Sequence, residues 1–174
     1  MTSIVGATPT LDLPARAKAV AALADEYADA GDQQGQLATP VVEALHREGL
    51  YGMWVPRSMR GGSELDPVSS LEVIENLSYG DPSAGWVLMA SALAIGTGAA
   101  YLGDAAVEEL FAGEGLPVIA GQGTRPGTAI PRPGGFLLSG SWSFASGIKH
   151  GTHIHTLGIV EDKRTPRCKR RLLP

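Results

Sequence analysis

The chain has 174 residues, 44% of them hydrophobic, and a formal net charge of −4, which fits one or two globular domains with a substantial core. Up to Asp162 it carries 18 acidic residues against 8 basic ones, a balance that argues against nucleic-acid binding. The single Cys168 excludes an internal disulfide, and no secretory signal pattern is recognisable. We therefore expect a cytoplasmic protein.

Five helices are predicted between residues 12 and 113, after a loose arm over residues 1–11. Apolar residues recur there at helical spacing, and each helix has a start signal of a capping residue, mostly followed by proline. In chain order the signals are Asp12, Thr39-Pro40, Asp66-Pro67, Asp81-Pro82 and Asp104. Glycines mark the predicted ends, at Gly31, Gly49, Gly80 and Gly113.

The fourth predicted helix carries no charge from Ser83 to Leu102 and is long enough to cross a membrane. Its small residues are numerous, and neither a basic flank nor a second apolar span accompanies it. A helix that is apolar all round is also typical of the centre of a bundle. We therefore predict a buried helix and no membrane association.

Strand-like patterns follow from residue 117. The patterns predict a short strand at 117–120, a loop at 121–128 and a last strand at 152–160. Between them we predict a hairpin of residues 136–138 and 141–145 with its turn at Ser139-Gly140. Helices followed by strands indicate an α+β protein.

Two interpretations of this hairpin stay open on the residues alone. Trp142 and Phe144 are ordinary core residues of a strand, or they line a site where Ser146 and Gly147 let a flat ligand approach the main chain. His150, just beyond, is placed as a proton donor or an anion contact. The nearby pair His153 and His155 lacks a third ligand, so we predict no metal site.

Several motifs together resemble the acyl-CoA dehydrogenase superfamily. They are Gly49-Leu-Tyr-Gly-Met-Trp-Val-Pro56, the paired glycines 61–62, Glu75-Asn-Leu77 and Gly80-Asp-Pro-Ser83. The stretch Ser141-Trp-Ser-Phe-Ala-Ser-Gly147 is the most specific piece, and it is similar to the flavin-dependent monooxygenases of that superfamily. These enzymes are the oxygenase components of two-component hydroxylases. The resemblance covers roughly residues 15–162.

The resemblance implies a fold in three parts: an N-terminal helical domain, a middle β-barrel-like domain and a C-terminal four-helix bundle. Residues 12–115 then form an N-terminal all-α bundle, and residues 116–162 form the beginning of the β domain. The C-terminal helical bundle is missing, and residues 163–174 are a basic tail of uncertain origin. The full-length protein is expected to be a homotetramer.

The resemblance also implies a flavin, FMN or FAD, supplied in reduced form by a separate flavin reductase. Phe144 would flank the isoalloxazine ring, with Ala145 and Gly147 beside it. Ser146 would hydrogen-bond near flavin N5, by its hydroxyl or its backbone N–H. The remaining implied contacts are Trp86 in the same pocket and, on the pyrimidine or ribityl side, Gln122 and Thr124. The implied catalytic residues are Ser146 and His150.

The implied activity is hydroxylation of a small organic substrate by reduced flavin and O₂. One alternative is FAD-dependent α,β-dehydrogenation of an acyl-CoA. The other is a truncated flavin-binding domain without activity. We expect this chain alone to bind flavin weakly and to turn over little.

Overall fold

The computed structural model describes residues 12–161, and the predicted arm, the basic tail and Cys168 lie outside these residues. Five helices come first, and their bounds are α1 Leu13–Gln34, α2 Thr39–Arg47, α3 Pro67–Gly80, α4 Pro82–Tyr101 and α5 Asp104–Leu110. Three strands follow, with bounds β1 Ile119–Arg132, β2 Gly135–Ser139 and β3 His153–Val160. Single 3₁₀ turns lie at Leu50–Gly52 and Ile148–His150. The predicted α+β class is confirmed.

Three of the predicted helix caps form as the sequence indicates. The carboxylate of Asp12 accepts from the N–H of Ala15 at 3.1 Å, and that of Asp81 accepts from the N–H of Ser83 at 2.8 Å. Asp66 caps α3 by accepting from two backbone N–H groups. Each of these helices has a proline in its first turn, where a missing N–H costs nothing.

Four helix boundaries differ from the prediction, and one of them is the end of α5, which lies at Leu110 and not near Gly113. α1 continues past Gly31 and ends at Gly35, which adopts the left-handed conformation with φ 61°. Ala38 and Gly103, not Thr39 and Asp104, are the N-caps of α2 and α5. Neither residue caps with its side chain, because alanine and glycine have no side-chain hydrogen-bond acceptor.

The hydrophobic core lies almost wholly among the helices. α1 packs against α3, and both contact a centre that includes Leu45, Leu50, Met53, Leu77 and Leu88, all fully buried. The core reaches the sheet only where β1 begins, at Val118 and Ile119. A buried side chain of this size stabilises the fold by about 1.5–3 kcal/mol.

α4 is only partly covered, which corrects the prediction of a helix buried on all sides. It packs against α3, the Leu50–Gly52 turn and β1, and one face is buried through Ala84, Leu88, Ala92 and Ile95. The opposite face exposes Trp86, Leu93 and Tyr101. By length and composition the helix could cross a membrane, and 39% of its most apolar window is buried inside the protein.

The three strands form one sheet in the order β2-β1-β3, with β1 antiparallel to β2 and parallel to β3. The prediction of a turn at Ser139-Gly140 is wrong, because the chain turns at Pro133-Gly134 and residues 140–147 form no strand. Proline sets its own φ and Gly134 takes φ 82°, so these two residues favour the turn more strongly. The predicted loop 121–128 belongs instead to β1, with a register shift between Gln122 and Gly127.

Candidate functional site

Residues 140–147, which we call the crossing loop, leave the end of β2 and fold back over β1. The indole of Trp142 lies against the backbone of two glycines. A Cβ placed at Gly127 would come within 2.5 Å of the Trp142 ring, and one at Gly140 within 2.6 Å. The glycines therefore let Trp142 pack flat across the strand, where any side chain would displace it.

The end of the crossing loop is held against α4. Gly147 has φ 79°, and a Cβ there would lie 3.0 Å from Val87 Cγ1 and 3.4 Å from Ser91 Oγ. The N–H of Ile148 donates to the carbonyl of Ala145 at 3.0 Å and closes the turn. A glycine is thus needed here both for its backbone conformation and for the close approach of the helix.

The side chains of Phe144 and Ser146 differ in their contacts: the phenyl ring is uncovered, whereas the hydroxyl has a hydrogen-bond partner. Phe144 takes φ 60°, which is uncommon for a residue with a side chain, and its ring is 92% exposed. The Oγ of Ser146 accepts a 2.8 Å hydrogen bond from the Nε1–H of Trp86 on α4. The loop therefore presents an uncovered aromatic ring two residues from an anchored hydroxyl.

A cleft of about 530 Å³ separates the crossing loop from the C-terminal end of α1 and the start of α4. Gln36 and Leu37 line one side, Ser83 and Val87 line the floor, and the loop closes the other side. The Nζ of Lys149 donates to the carbonyl of Gln34 at 3.0 Å, which ties the loop to the last turn of α1. Cations favour this position because the carbonyl end of a helix carries partial negative charge.

His150 also lines the cleft. Burial lowers its pKa from the ordinary value of 6.5, and the positive charge of Lys149 lowers it further. Its Nε2 is buried and has no hydrogen-bond partner among the described residues. The imidazole is therefore neutral at pH 7, which suits a hydrogen-bonding group better than a ready proton donor.

The structure brings six of the predicted site residues together. Phe144, Ala145, Ser146, Gly147 and His150 line the cleft, and Trp86 joins them through its bond to Ser146.

Gln122 and Thr124 lie elsewhere, in the irregular part of β1. The Oε1 of Gln122 accepts from the N–H of Thr124 at 2.9 Å, from its Oγ1 at 2.7 Å and from the N–H of Arg125 at 3.0 Å. The Gln122 side chain thus satisfies the backbone of the bulge, and neither residue lines the cleft.

Sequence reasoning missed the part of the cleft that α1 contributes. Lys149 and Gln34 are 115 positions apart, and no local pattern links a helix end to a distant loop. The packing of Trp142 on Gly127 was missed as well, although an aromatic near isolated strand glycines is the kind of signal that could have indicated it.

His153 and His155 lie on an exposed part of β3, where the N–H of His153 pairs with the carbonyl of Val118. Within residues 12–161 no three His, Cys, Asp or Glu side chains cluster as a metal site requires.

Comparison with known proteins gives consistent matches. A family model described as "Acyl-CoA dehydrogenase, N-terminal domain" matches residues 14–113. An indole-3-acetate monooxygenase from Pseudomonas putida is 33% identical over 132 residues, which are 74% of this chain and 32% of that protein. The flavin-dependent monooxygenase oxygenase subunit HsaA from Mycobacterium tuberculosis is 27% identical over 141 residues, 80% of this chain and 35% of the subunit.

Solved structures match the fold closely. XiaF from Streptomyces sp., in complex with FADH2 and glycerol, superposes with a TM-score of 0.81 at 27% identity, over 87% of this chain and 38% of XiaF. FMN- and indole-bound TdsC from Paenibacillus sp. A11-2 superposes with a TM-score of 0.67 at 19% identity, over 92% of this chain and 42% of TdsC. The chain thus spans about a third of the length of the curated relatives it matches.

Proposed function

Because the chain belongs to the acyl-CoA dehydrogenase family, in its flavin-dependent monooxygenase branch, we propose that it is the N-terminal part of the oxygenase component of a two-component monooxygenase. In this proposal the crossing loop binds one face of a flavin. A small organic substrate occupies the adjoining cleft, and a separate reductase supplies the reduced flavin. The named relatives support the reaction class.

The observation that carries the proposal is the state of Phe144. Phe144 is 92% exposed, so the described fold does not stabilise it by burial, and its φ of 60° is an unfavourable backbone conformation for a residue with a side chain. Such strained residues concentrate at binding sites, where a ligand supplies the missing contact. The isoalloxazine ring is flat and amphipathic, so it needs an apolar wall of this kind together with a few placed polar groups.

The polar groups of the loop fit the same ligand. Among residues 12–161, no protein acceptor pairs with the backbone N–H of Ala145 or Ser146. The Ser146 hydroxyl, anchored by Trp86, keeps its own hydrogen for another partner. A ring edge rich in nitrogen and carbonyl oxygen would satisfy all three groups.

A bound reduced flavin would supply two electrons to O₂, so that one oxygen atom enters the substrate and the other leaves as water. The residues of this chain then position and shield the reacting partners. Phe144 and Trp142 keep water from the ring face, and Ser146 fixes its orientation as the proposed contact near N5. We assign neutral His150 to a hydrogen bond with the substrate or with a reacting oxygen, because burial favours its uncharged form.

The cleft of about 530 Å³ is within the range of roughly 300–1,000 Å³ that small-molecule sites occupy. Gln122, which is half-buried on β1, and the exposed Thr124 are proposed to reach the ribityl or pyrimidine side of the flavin. For the whole protein we propose a homotetramer in the cytoplasm, with a helical domain at residues 12–115 and a β domain beginning at 116–162.

Flavin titration of the 174-residue chain tests the proposal. We expect saturable quenching of FMN or FAD fluorescence, weakened roughly two- to tenfold by Phe144→Ala because one aromatic contact is lost. The matched control is Phe136→Ala on β2, which removes another exposed phenylalanine away from the cleft. A chain that binds neither flavin, or that loses as much affinity in the control, contradicts the proposal.

Acyl-CoA dehydrogenation is the second candidate, and the description of the matching family favours it. Because this chain alone is expected to turn over little, the flavin-loaded full-length protein is used to separate the two reactions. Bleaching of the bound flavin by an acyl-CoA without O₂ would indicate dehydrogenation. Transfer of ¹⁸O from ¹⁸O₂ into an aromatic substrate, with reduced flavin supplied, would indicate monooxygenation.

A further inference from the structure

We infer that Trp86 is a positioning residue, which holds the Ser146 Oγ so that one hydroxyl can pair with the flavin ring in both its oxidised and its reduced form. The inference rests on the proposed function, because it requires a flavin against the crossing loop. It goes further by giving Trp86 a role in orienting the Ser146 hydroxyl, which packing does not explain.

Burial does not account for the position of Trp86. It is 59% exposed, whereas Ala84, Leu88 and Ala92 on the opposite face of α4 are fully buried. The described polar contact of the indole is its 2.8 Å bond to Ser146 Oγ, across 60 positions of sequence. Since an exposed indole gains little from packing, the bond is the feature that fixes its orientation.

The donor and the acceptor are both held by the same helix. Trp86 lies between the buried residues Ala84 and Leu88 of α4, so its backbone is fixed in the core. Ser146 is followed by Gly147, which packs against Val87 and Ser91 of that helix. The position of Ser146 Oγ is therefore determined before any ligand binds, which lowers the cost of ordering it on binding.

The direction of this bond decides what Ser146 can still do. An indole N–H only donates, so the Ser146 oxygen must be the acceptor. A hydroxyl has one hydrogen and two lone pairs, and after this bond it keeps one hydrogen and one lone pair. The Ser146 hydroxyl can thus either donate or accept toward the cleft, whereas a backbone N–H can only donate.

Flavin N5 presents opposite hydrogen-bonding characters in the two redox states. In the oxidised ring it has a lone pair and accepts, and in the two-electron-reduced ring it carries hydrogen and donates. Rotation of the Ser146 O–H serves both states without moving the oxygen that Trp86 holds. An oxygenase component receives the reduced ring and later releases the oxidised one, so it must accommodate both.

The test is titration of the full chain with oxidised FMN and, without O₂, with reduced FMN. Trp86→Phe keeps an aromatic ring and removes the donor, and Ser146→Ala removes the acceptor. We expect each variant to bind both forms roughly three- to tenfold more weakly, the net value of one hydrogen bond. The double variant should bind no more weakly than Ser146→Ala, because Trp86 acts through Ser146.

Three controls separate positioning from general damage. Tyr101→Phe removes a polar group from another exposed aromatic, at the opposite end of α4 from Trp86, and should leave affinity unchanged. In 5-deaza-FMN a C–H replaces N5, so wild type and Trp86→Phe should bind it equally. Ser146→Thr, which restores a hydroxyl, should regain part of the affinity that Ser146→Ala loses.

Each other outcome has a definite meaning. If Trp86→Phe binds FMN as wild type does, if the two single losses add in the double variant, or if the loss persists with 5-deaza-FMN, the inference is overturned while flavin binding stands. If the wild-type chain shows no saturable binding of either form, the proposed function fails and the inference fails with it.

Discussion

The helical region, residues 13–110, and the sheet region, residues 119–160, place their apolar side chains differently. The helical region buries Leu45, Leu77 and Leu88 completely in one core. In the sheet region, β2 is exposed along its whole length, and Phe136 and Leu137 are each 50% accessible. The folding free energy of the described fold therefore comes mainly from the helices.

The candidate site lies where the two regions meet. The crossing loop belongs to the sheet region by sequence, yet helical residues hold it through Trp86, Val87 and the carbonyl of Gln34. A marginally packed element can thus present a strained residue such as Phe144, because a well-packed neighbour supports it. The helical region therefore supplies most of the stability, and the candidate binding segment lies in the loop that this region supports.

The largest expected effect is on stability. Leu88→Ala removes a fully buried side chain from α4 and should lower the free energy of unfolding by about 2–5 kcal/mol. The matched change in the sheet, Leu137→Ala on β2, should cost less than about 1 kcal/mol because half of the side chain already contacts water. Urea unfolding followed by circular dichroism measures the free energy of unfolding of both variants. Equal losses would contradict the conclusion that the helical region supplies most of the stability.

An intermediate effect is expected where the crossing loop meets α4. Gly147→Ala and Gly134→Ala place a side chain on similar left-handed backbones, φ 79° and 82°, so each should cost about 1–2 kcal/mol in strain. Only Gly147→Ala also meets Val87 Cγ1 at 3.0 Å, whereas nothing lies within 4 Å of a Cβ at Gly134. Gly147→Ala should therefore be the less stable variant, and it alone should weaken flavin binding.

Urea unfolding and FMN titration of the same two variants check this expectation. Similar stability and similar flavin affinity in both would show that contact with α4 does not shape the loop.

The smallest expected effect is on pH dependence. Burial lowers the pKa of His46, whose ring lies 4.7 Å from that of Tyr51, and burial also lowers the pKa of His150. A histidine with a lowered pKa in the folded state takes up protons more readily when unfolded. Its contribution to stability is therefore present above the ordinary pKa of 6.5 and is lost as the pH falls through the folded-state pKa.

Unfolding midpoints measured from pH 8 downward test whether stability falls with falling pH as these two histidines require. His46→Gln and His150→Gln should each flatten the acid side of the stability profile. An unchanged slope in His46→Gln would show that the helical region does not contribute to the acid sensitivity.

The helices could be predicted well because their signals are local. Asp12, Asp66 and Asp81 cap as expected, since a cap depends only on the next three residues. The sheet was predicted less well. The alternation of residues 141–145 matches a strand, but a strand also needs a neighbour to pair with. Trp142 packs against Gly127 of β1, and the segment does not continue as a strand beside β2.

In the candidate site, too, local features can be predicted from the sequence and long-range contacts cannot. For the cluster Phe144 to Gly147, the residues alone leave a core role and a binding role open, and the family resemblance implies the binding role. The sequence does not predict the contribution of α1 to the cleft or the bond between Lys149 and Gln34, because both depend on how distant segments pack.

By itself, the sequence determined the helix starts, the order of helices before strands, and the family through motifs that lie within a few residues of one another. Only the tertiary structure decided which face of α4 is covered, that residues 140–147 cross the sheet instead of extending it, and that Trp86 donates to Ser146. The physical reason is the range of the interactions. Caps and turns are satisfied within one turn of chain, whereas Trp86 and Ser146 are 60 positions apart and meet only because the core between α3, α4 and β1 brings them together.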